Sequence, residues 1–167
     1  MTLMRKVVLD ADGLIKLTKA DILEKIVEIL NCNISQEVFT ESVEEGKKLL
    51  FEDAFKIEEL IQNKKIKVHA TEKKEFSDLD GFGKGERTSL ELYYQIHAQA
   101  IISDNQRFLK ELEKKQVPFT TPAGILQALY WNKKLNKSET LNALEKMKPL
   151  IQSEIYISLK KEVEESK

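Results

Sequence analysis

The chain has 167 residues, of which 41% are hydrophobic and 33% are charged. This length and composition are those of a single globular domain, and they exclude a disordered chain. Its 27 Lys and Arg residues and 28 Asp and Glu residues give a formal net charge of -1. The near balance of charge excludes a protein that binds nucleic acid through a globally basic surface, although it allows a local basic patch beside an acidic pocket.

The cysteine count and the apolar segments narrow the class of protein further. A single cysteine, Cys32, excludes an internal disulfide and a cysteine-rich zinc site. The first apolar run, Val7 to Leu9, is too short for the core of a signal peptide. No stretch approaches the ~20 apolar residues of a membrane span. We therefore expect a cytoplasmic protein with no membrane partner.

Short apolar strands alternate with amphipathic helices along the chain, which predicts an α/β fold with a mainly parallel sheet. Strands are predicted at residues 5–9, 31–34, 66–68, 100–103 and 117–120. Helices are predicted from residue 14, then at 21–30, 35–45, 50–62, 86–99 and 106–115, with Ser35 capping the third of these and Gly46 ending it. A charged connection spans residues 71–80, and the chain beyond residue 123 is predicted to be helical, with breaks near Asn136 and Pro149.

Two aspartates stand directly after the most apolar predicted strands. Asp10 follows the first strand and Asp104 follows the strand at 100–103. Aspartate is also common at strand ends as a turn former or helix cap, so one such residue says little about function. Ligands of parallel sheets bind beyond the carboxyl ends of the strands. Two aspartates at one such edge therefore make a functional site a serious alternative to the structural interpretation.

A cluster of carboxylates at this edge would need a counter-charge. Two carboxylates 4 Å apart repel each other by about 4 kcal/mol at an effective dielectric constant near 20. A divalent cation removes this penalty, and all-oxygen ligands favour Mg²⁺ or Mn²⁺ over zinc. Such an ion lowers the pKa of bound water and neutralises charge on a phosphodiester. The pattern therefore indicates metal-dependent phosphoryl chemistry.

Four short motifs follow one another along the chain, and together, in this order and at these spacings, they cover about residues 5–130. They are Val7-Val8-Leu9-Asp10 with Gly13-Leu14-Ile15 after it, Val38-x-x-Glu41, Gly83-Lys84-Gly85-Glu86, and Ile101-Ile102-Ser103-Asp104-Asn105. The series resembles that of the PIN domain nucleases, which include the VapC-type toxins of bacterial and archaeal toxin–antitoxin pairs.

This resemblance implies an α/β/α sandwich with a mainly parallel central sheet, plus additional C-terminal helices. The PIN-like catalytic domain would comprise residues 1–130, and residues 131–167 would be a helical extension packed on it. The implied activity is that of a Mg²⁺- or Mn²⁺-dependent endoribonuclease, which hydrolyses RNA phosphodiester bonds by metal-activated water. Besides RNA, the resemblance implies an antitoxin protein and a second copy of the chain as partners.

The resemblance also assigns roles to individual residues. The implied catalytic residues are Asp10, Glu41, Glu86 and Asp104, and three of them, Asp10, Glu86 and Asp104, would bind the metal. Glu41 lies in an acidic run that is ordinarily a solvated helix face, with Glu37 as its nearest rival for this role. Glu86 is also placed to complement the dipole of its helix.

Three further residues are secondary candidates for the site, and three others are candidates for contacts with RNA. Ser103 matches the Thr or Ser that the family usually carries, and Asp12 is an extra carboxylate. Asn105 replaces a second aspartate of many family members, which puts a second metal position in doubt. The candidates for contacts with RNA phosphates are Lys84, Arg87 and Arg107.

Two alternatives stay open on sequence grounds. Asp10-Ala11-Asp12-Gly13 also resembles the first motif of haloacid dehalogenase-type phosphatases, in which Asp10 would be the nucleophile and Asp12 the acid and base. Against this alternative, residue 14 is Leu where those phosphatases have Thr. The other alternative is a non-catalytic PIN-like interaction module, and here the presence of all four acids favours an active site.

Overall fold

A sheet of five parallel strands forms the centre of the computed structural model, which describes residues 5–72 and 79–167. The strands lie in the order β3-β2-β1-β4-β5 and every neighbouring pair is parallel. They are β1 (Lys6–Leu9), β2 (Asn31–Ser35), β3 (Ile66–His69), β4 (Ala100–Ile102) and β5 (Phe119–Thr120). The predicted parallel α/β fold is therefore confirmed. Of the predicted connection 71–80, residues 73–78 lie outside the described residues.

Helices cover both faces of this sheet. They are α1 (Ala11–Lys19), α2 (Leu23–Ile29), α3 (Gln36–Phe39), a π-helical segment (Thr40–Glu44), α4 (Glu45–Lys48), α5 (Glu52–Gln62), α6 (Lys84–Gln95), α7 (Gln106–Lys114), α8 (Pro122–Trp131), α9 (Lys137–Met147), a 3-10 turn (Lys148–Leu150) and α10 (Ser153–Glu165). None of the helices in the described ranges has the length and apolar character needed to cross a lipid bilayer.

The alternation of side chains along the strands divides the interior into two cores. Val7 and Leu9 of β1 point to the larger core, which also receives side chains from α1, α2, α5 and the C-terminal helices. Val8 points to the smaller core, where it meets apolar residues of α6 and α7. These layers form the α/β/α sandwich expected from the sequence.

The C-terminal helices belong to the larger core. Leu144 and Met147 of α9 and Leu159 of α10 are buried in the same cluster as the inner face of β1. A capping box at Asn136, closed by Glu139, begins α9. The break in helical structure expected near Asn136 is therefore where α9 starts.

The bounds of two predicted helices are wrong. Ser35 caps its helix as expected, but the helical chain continues past Gly46 to Lys48. A Cβ at Gly46 would lie 2.8 Å from the Cβ of Ala54, so this glycine allows α5 to approach α4 and does not end a helix. The helix predicted at 86–99 begins at Lys84 and ends at Gln95. It ends early because His97 adopts a φ of 54°, a left-handed conformation that turns the chain towards β4.

The strand order places a topological switch point between β1 and β4. The chain adds β2 and β3 on one side of β1 and then returns to add β4 and β5 on the other side. In sheets of this kind the connections diverge at the switch point, so the carboxyl ends of β1 and β4 are where a ligand is expected to bind. Asp10 and Asp104 follow these two strands.

Candidate active site

Asp10 is fixed by the main chain at the end of β1. Its backbone N–H donates to the carbonyl of Ile102 on β4 at 3.2 Å, and its carboxylate caps α1 by accepting from the Gly13 N–H at 2.8 Å. Its other carboxylate oxygen accepts a hydrogen bond from the Ser103 hydroxyl. Asp10 is only 2% exposed, so it serves both as a helix cap and as a buried acid at the sheet edge.

This burial changes the acidity of Asp10. Loss of solvation raises the pKa of Asp10 to about 7, and the negative charges of Asp12 and Glu86 add to the increase. The hydrogen bonds from Ser103 and Gly13 act in the opposite direction but do not offset the burial. A cation placed near Asp10 would therefore be strongly favoured.

Gly13 explains why α1 can begin so close to the sheet. A Cβ at this position would lie 2.6 Å from the Ile102 carbonyl oxygen and 3.2 Å from Oδ1 of Asp10. Any other residue would push α1 away from β4 and weaken the cap on Asp10. The glycine of the first motif is thus required for this close approach.

Asp104 is bound by a lysine that the sequence did not single out. The Lys16 ammonium lies 2.7 Å from Oδ2 of Asp104 and 3.4 Å from Oδ2 of Asp12. Partial burial of Lys16 opposes its charge, but the hydrogen bond to Asp104 and the charge of Asp12 outweigh this effect and raise the pKa of Lys16. The spacing of Asp12 and Lys16 on α1 was a signal for their pairing, whereas the contact with Asp104 depends on the sheet topology.

Asn105 ties Glu86 to the same sheet edge. The Asn105 side chain caps α7 by accepting from the Phe108 N–H at 3.2 Å, and its amide donates to Oε1 of Glu86 at 3.0 Å. Its backbone N–H donates to the Ser103 hydroxyl at 3.2 Å. An aspartate here would keep the cap but would lose the donor to Glu86, so asparagine at this position has a structural reason.

Glu41 and Glu86 approach each other across Gly83-Lys84-Gly85-Glu86, called here the glycine motif. Partial desolvation and then the negative charge of Glu86 raise the pKa of Glu41, while a hydrogen bond from the backbone of Gly85 acts against them. A Cβ at Gly85 would lie 2.9 Å from both carboxylate oxygens of Glu41, and one at Gly83 would lie 2.8 Å from Oε2 of Glu86. Each glycine of the motif leaves space for one glutamate.

Glu37 is the alternative to Glu41 as a site residue, and one of its carboxylate oxygens is buried. Within the described residues, its Oε2 atom is buried and has no hydrogen-bond partner. Its charge also contributes to the raised pKa of Glu41, one helical turn further along the chain. The two glutamates therefore act on the same region, and Glu37 stays a candidate beside Glu41.

The three candidate phosphate-binding residues surround the glycine motif. Lys84 is exposed at the start of α6, and Arg87 is half-buried one turn later. Arg107 is exposed, with its guanidinium group 4.4 Å above the ring of Phe82 and 3.4 Å from the Gly81 carbonyl. Lys84 and Arg87 therefore flank Glu86 along α6, and Arg107 lies against the loop just before the motif.

The acids meet in pairs at this edge of the sheet. Asp10 interacts with Asp12 and Glu86, and Glu86 interacts with Glu41, whereas Asp104 is held by Lys16. Over residues 5–72 and 79–167, no group of three or more His, Cys, Asp or Glu side chains is arranged to hold a metal ion. The donor chemistry nevertheless fits a hard divalent cation, because carboxylate oxygens are its preferred ligands and the orphaned oxygen of Glu37 lacks a donor.

A parallel α/β sandwich with carboxylates at its switch point defines a class of proteins that bind a ligand at the sheet edge. The comparison with known families makes this class specific. The chain matches the PIN domain family over residues 6–165, and it therefore belongs to that family. PIN domains are generally nucleases. No curated protein matches the chain. Membership of this family speaks against the dehalogenase-type phosphatase alternative.

Proposed function

We propose that this PIN domain protein is a Mg²⁺- or Mn²⁺-dependent endoribonuclease. The observation that best supports this function is the meeting of acids from separate segments at the β1–β4 switch point. Asp10 is buried there at a strand end, and the charge of Glu86 from α6 reaches it. Because this repulsion is relieved by a divalent cation, the arrangement is suited to binding one.

In this proposal, Asp10, Glu86 and Asp104 hold the cation and Glu41 completes the acidic site. The bound ion would activate water and stabilise negative charge on the scissile phosphate. Ser103 and Asn105 act as positioning residues, since they hold the carboxylates of Asp10 and Glu86 by hydrogen bonds.

The RNA would approach over the glycine motif. Lys84, Arg87 and Arg107 are the proposed contacts to its phosphates, because cations beside a nuclease site supply most of the sequence-independent affinity. In this proposal the site contacts the sugar-phosphate backbone of the RNA, and other parts of the protein surface would recognise the target sequence.

The finer biological role is proposed on the resemblance to VapC-type toxins. In that role the protein is the cytoplasmic toxin of a toxin–antitoxin pair, with an antitoxin protein and a second copy of the chain as partners. One stretch of exposed apolar residues that such partners would cover lies before and within α5. They are Leu49, Leu50, Phe51 and Phe55. Residues 1–130 would carry the catalytic function, and residues 131–167 would be a helical extension.

The proposal is tested by RNA cleavage with Mn²⁺ and with EDTA. Asp10→Asn and Asp104→Asn should each lower Mn²⁺-dependent cleavage of a panel of structured RNAs by about 100-fold or more, since a lost ligand costs at least as much as a lost outer-shell partner. Asp21→Asn is the matched control, because Asp21 forms an exposed ion pair with Lys146 and is not one of the proposed site residues. Full activity of both site variants, or cleavage that EDTA does not reduce, would refute the proposal.

A further inference from the structure

Lys16 places a positive charge inside the acidic edge of the sheet. Its side chain is 20% exposed, and its ammonium group lies 2.7 Å from Asp104 and 3.4 Å from Asp12. These two aspartates come from different elements, since Asp12 lies in α1 and Asp104 follows β4. Among the described residues, no other lysine or arginine forms an ion pair with Asp10, Asp12, Glu86 or Asp104.

The next lysine of α1, Lys19, forms an ordinary surface ion pair and serves as a comparison. Lys19 lies 2.9 Å from Asp53, and its side chain is 46% exposed. An exposed pair of this kind contributes little to stability. Lys16 differs because it contacts two carboxylates and because its partner Asp104 stands at the switch point beside Ser103 and Asp10.

An ammonium group and a divalent cation compete for the same oxygens. A small divalent ion sits about 2.0–2.1 Å from a carboxylate oxygen, within the volume that the Lys16 nitrogen already takes beside Asp104. The two positive charges would also repel each other strongly at such a distance. Both occupants cannot therefore stand between Asp12 and Asp104 at once.

We propose that the Lys16 ammonium occupies the position between Asp12 and Asp104 and thereby excludes a divalent ion from this position. This inference rests on the proposed function, in which Asp10, Glu86 and Asp104 hold a divalent ion. Lys16 then acts as a positioning residue: it binds Oδ2 of Asp104, fixes this carboxylate at the end of β4, and restricts the site to the single ion on the Asp10 side.

The test is the number of Mn²⁺ ions bound by the full chain. Electron paramagnetic resonance of free Mn²⁺ during a titration gives this number without any cleavage assay. We expect Lys16→Met and Lys16→Gln to bind one more Mn²⁺ per chain than the wild type. The matched control Lys19→Met should bind the wild-type number. Adding Asp12→Asn to Lys16→Met should remove the extra ion.

The outcomes separate this inference from the proposed function. If the Lys16 variants and the wild type bind the same non-zero number of ions, the inference is wrong and the metal site of the proposed function stands. If the wild type binds none and the variants bind one, the inference is supported and the metal dependence is refuted. If no protein binds Mn²⁺, both fail. Circular dichroism checks folding, and failure of both Lys16 variants to fold would make Lys16 a structural counter-ion and overturn the inference.

Discussion

The inner and outer halves of the acidic site are built in different ways. The inner acids, Asp10 and Asp104, follow strands of the sheet, and Asp10 is 2% exposed with both of its carboxylate oxygens hydrogen-bonded. The outer acids, Glu41 and Glu86, project from helical segments, and Glu41 is exposed. Asp10 is positioned by the main chain and Asp104 by the Lys16 ammonium. The outer acids are positioned by a side-chain amide and by the space that two glycines leave.

Because of this difference, substitutions in the two halves of the site should affect different properties of the protein. A change at Asp10 alters a helix cap, a buried charge and the proposed chemistry together. A change around Glu41 can displace a carboxylate at the end of a flexible side chain without disturbing the core. Substitutions in the inner half should therefore change the free energy of unfolding, and substitutions in the outer half should mainly change cleavage.

The largest expected effect is the pH dependence that Asp10 gives to the metal-free protein. Burial raises the pKa of Asp10 to about 7, so between about pH 4 and pH 7 the folded state binds a proton that the unfolded state releases. The contribution of Asp10 to stability is therefore fully present at low pH and is lost as pH rises towards 7. Its size is up to about 4 kcal/mol at 1.36 kcal/mol per pKa unit.

Asp10→Asn removes this ionisation and isolates its contribution. Urea unfolding in EDTA should show the variant gaining stability relative to the wild type as pH rises from 4 to 7, with no further gain above pH 8. Asp21→Asn again serves as the control. Lys146 lowers the pKa of Asp21, so the stability that Asp21 contributes is lost only at low pH, and this variant should run parallel to the wild type from about pH 5 to pH 7. Parallel profiles for Asp10→Asn and the wild type would show that Asp10 is ionised normally and is not the buried acid described above.

A smaller effect is expected when either of two closely packed glycines is replaced by alanine. Gly85→Ala would drive a Cβ against the flexible Glu41 carboxylate, whereas Gly46→Ala would drive one against the rigid Cβ of Ala54. We expect Gly85→Ala to leave the melting temperature unchanged or slightly higher, since alanine favours a helix. Displacement of Glu41 should lower cleavage by about 10-fold to 100-fold.

Gly46→Ala should show the reverse pattern. Overpacking against Ala54 costs about 1–3 kcal/mol, and only part of this is offset by the gain of about 1 kcal/mol in helix propensity. The variant should melt at a lower temperature and cleave RNA at the wild-type rate where it is folded. If Gly85→Ala instead lost stability and kept its activity, the outer half would be structural and Glu41 would have no part in cleavage.

The parts of the fold that the sequence predicts well are those that depend on local patterns. Apolar runs that stop at a carboxylate predict the strands before Asp10 and Asp104, and four ordered motifs predict the PIN domain family. Gly46 misled the helix prediction because a glycine that stops a helix and one that admits a neighbouring helix look the same in sequence. The tertiary partner Ala54 decides between them.

The site shows the same limit. The contact between Lys16 and Asp104 joins residues 88 positions apart, and only the placement of β4 beside β1 creates it. The amide of Asn105 reaches Glu86 for the same reason. The catalytic roles of Asp10, Glu41, Glu86 and Asp104 stay predictions, because they concern chemistry and not position.

The affinity for Mn²⁺ tests most directly whether the inner and outer acids form one cation site. Isothermal titration calorimetry should give a measurable dissociation constant for the wild type, and both Asp10→Asn and Glu86→Gln should weaken it by at least about 10-fold. Binding that is unchanged in either variant, or absent in the wild type, would contradict a shared site at the β1–β4 switch point.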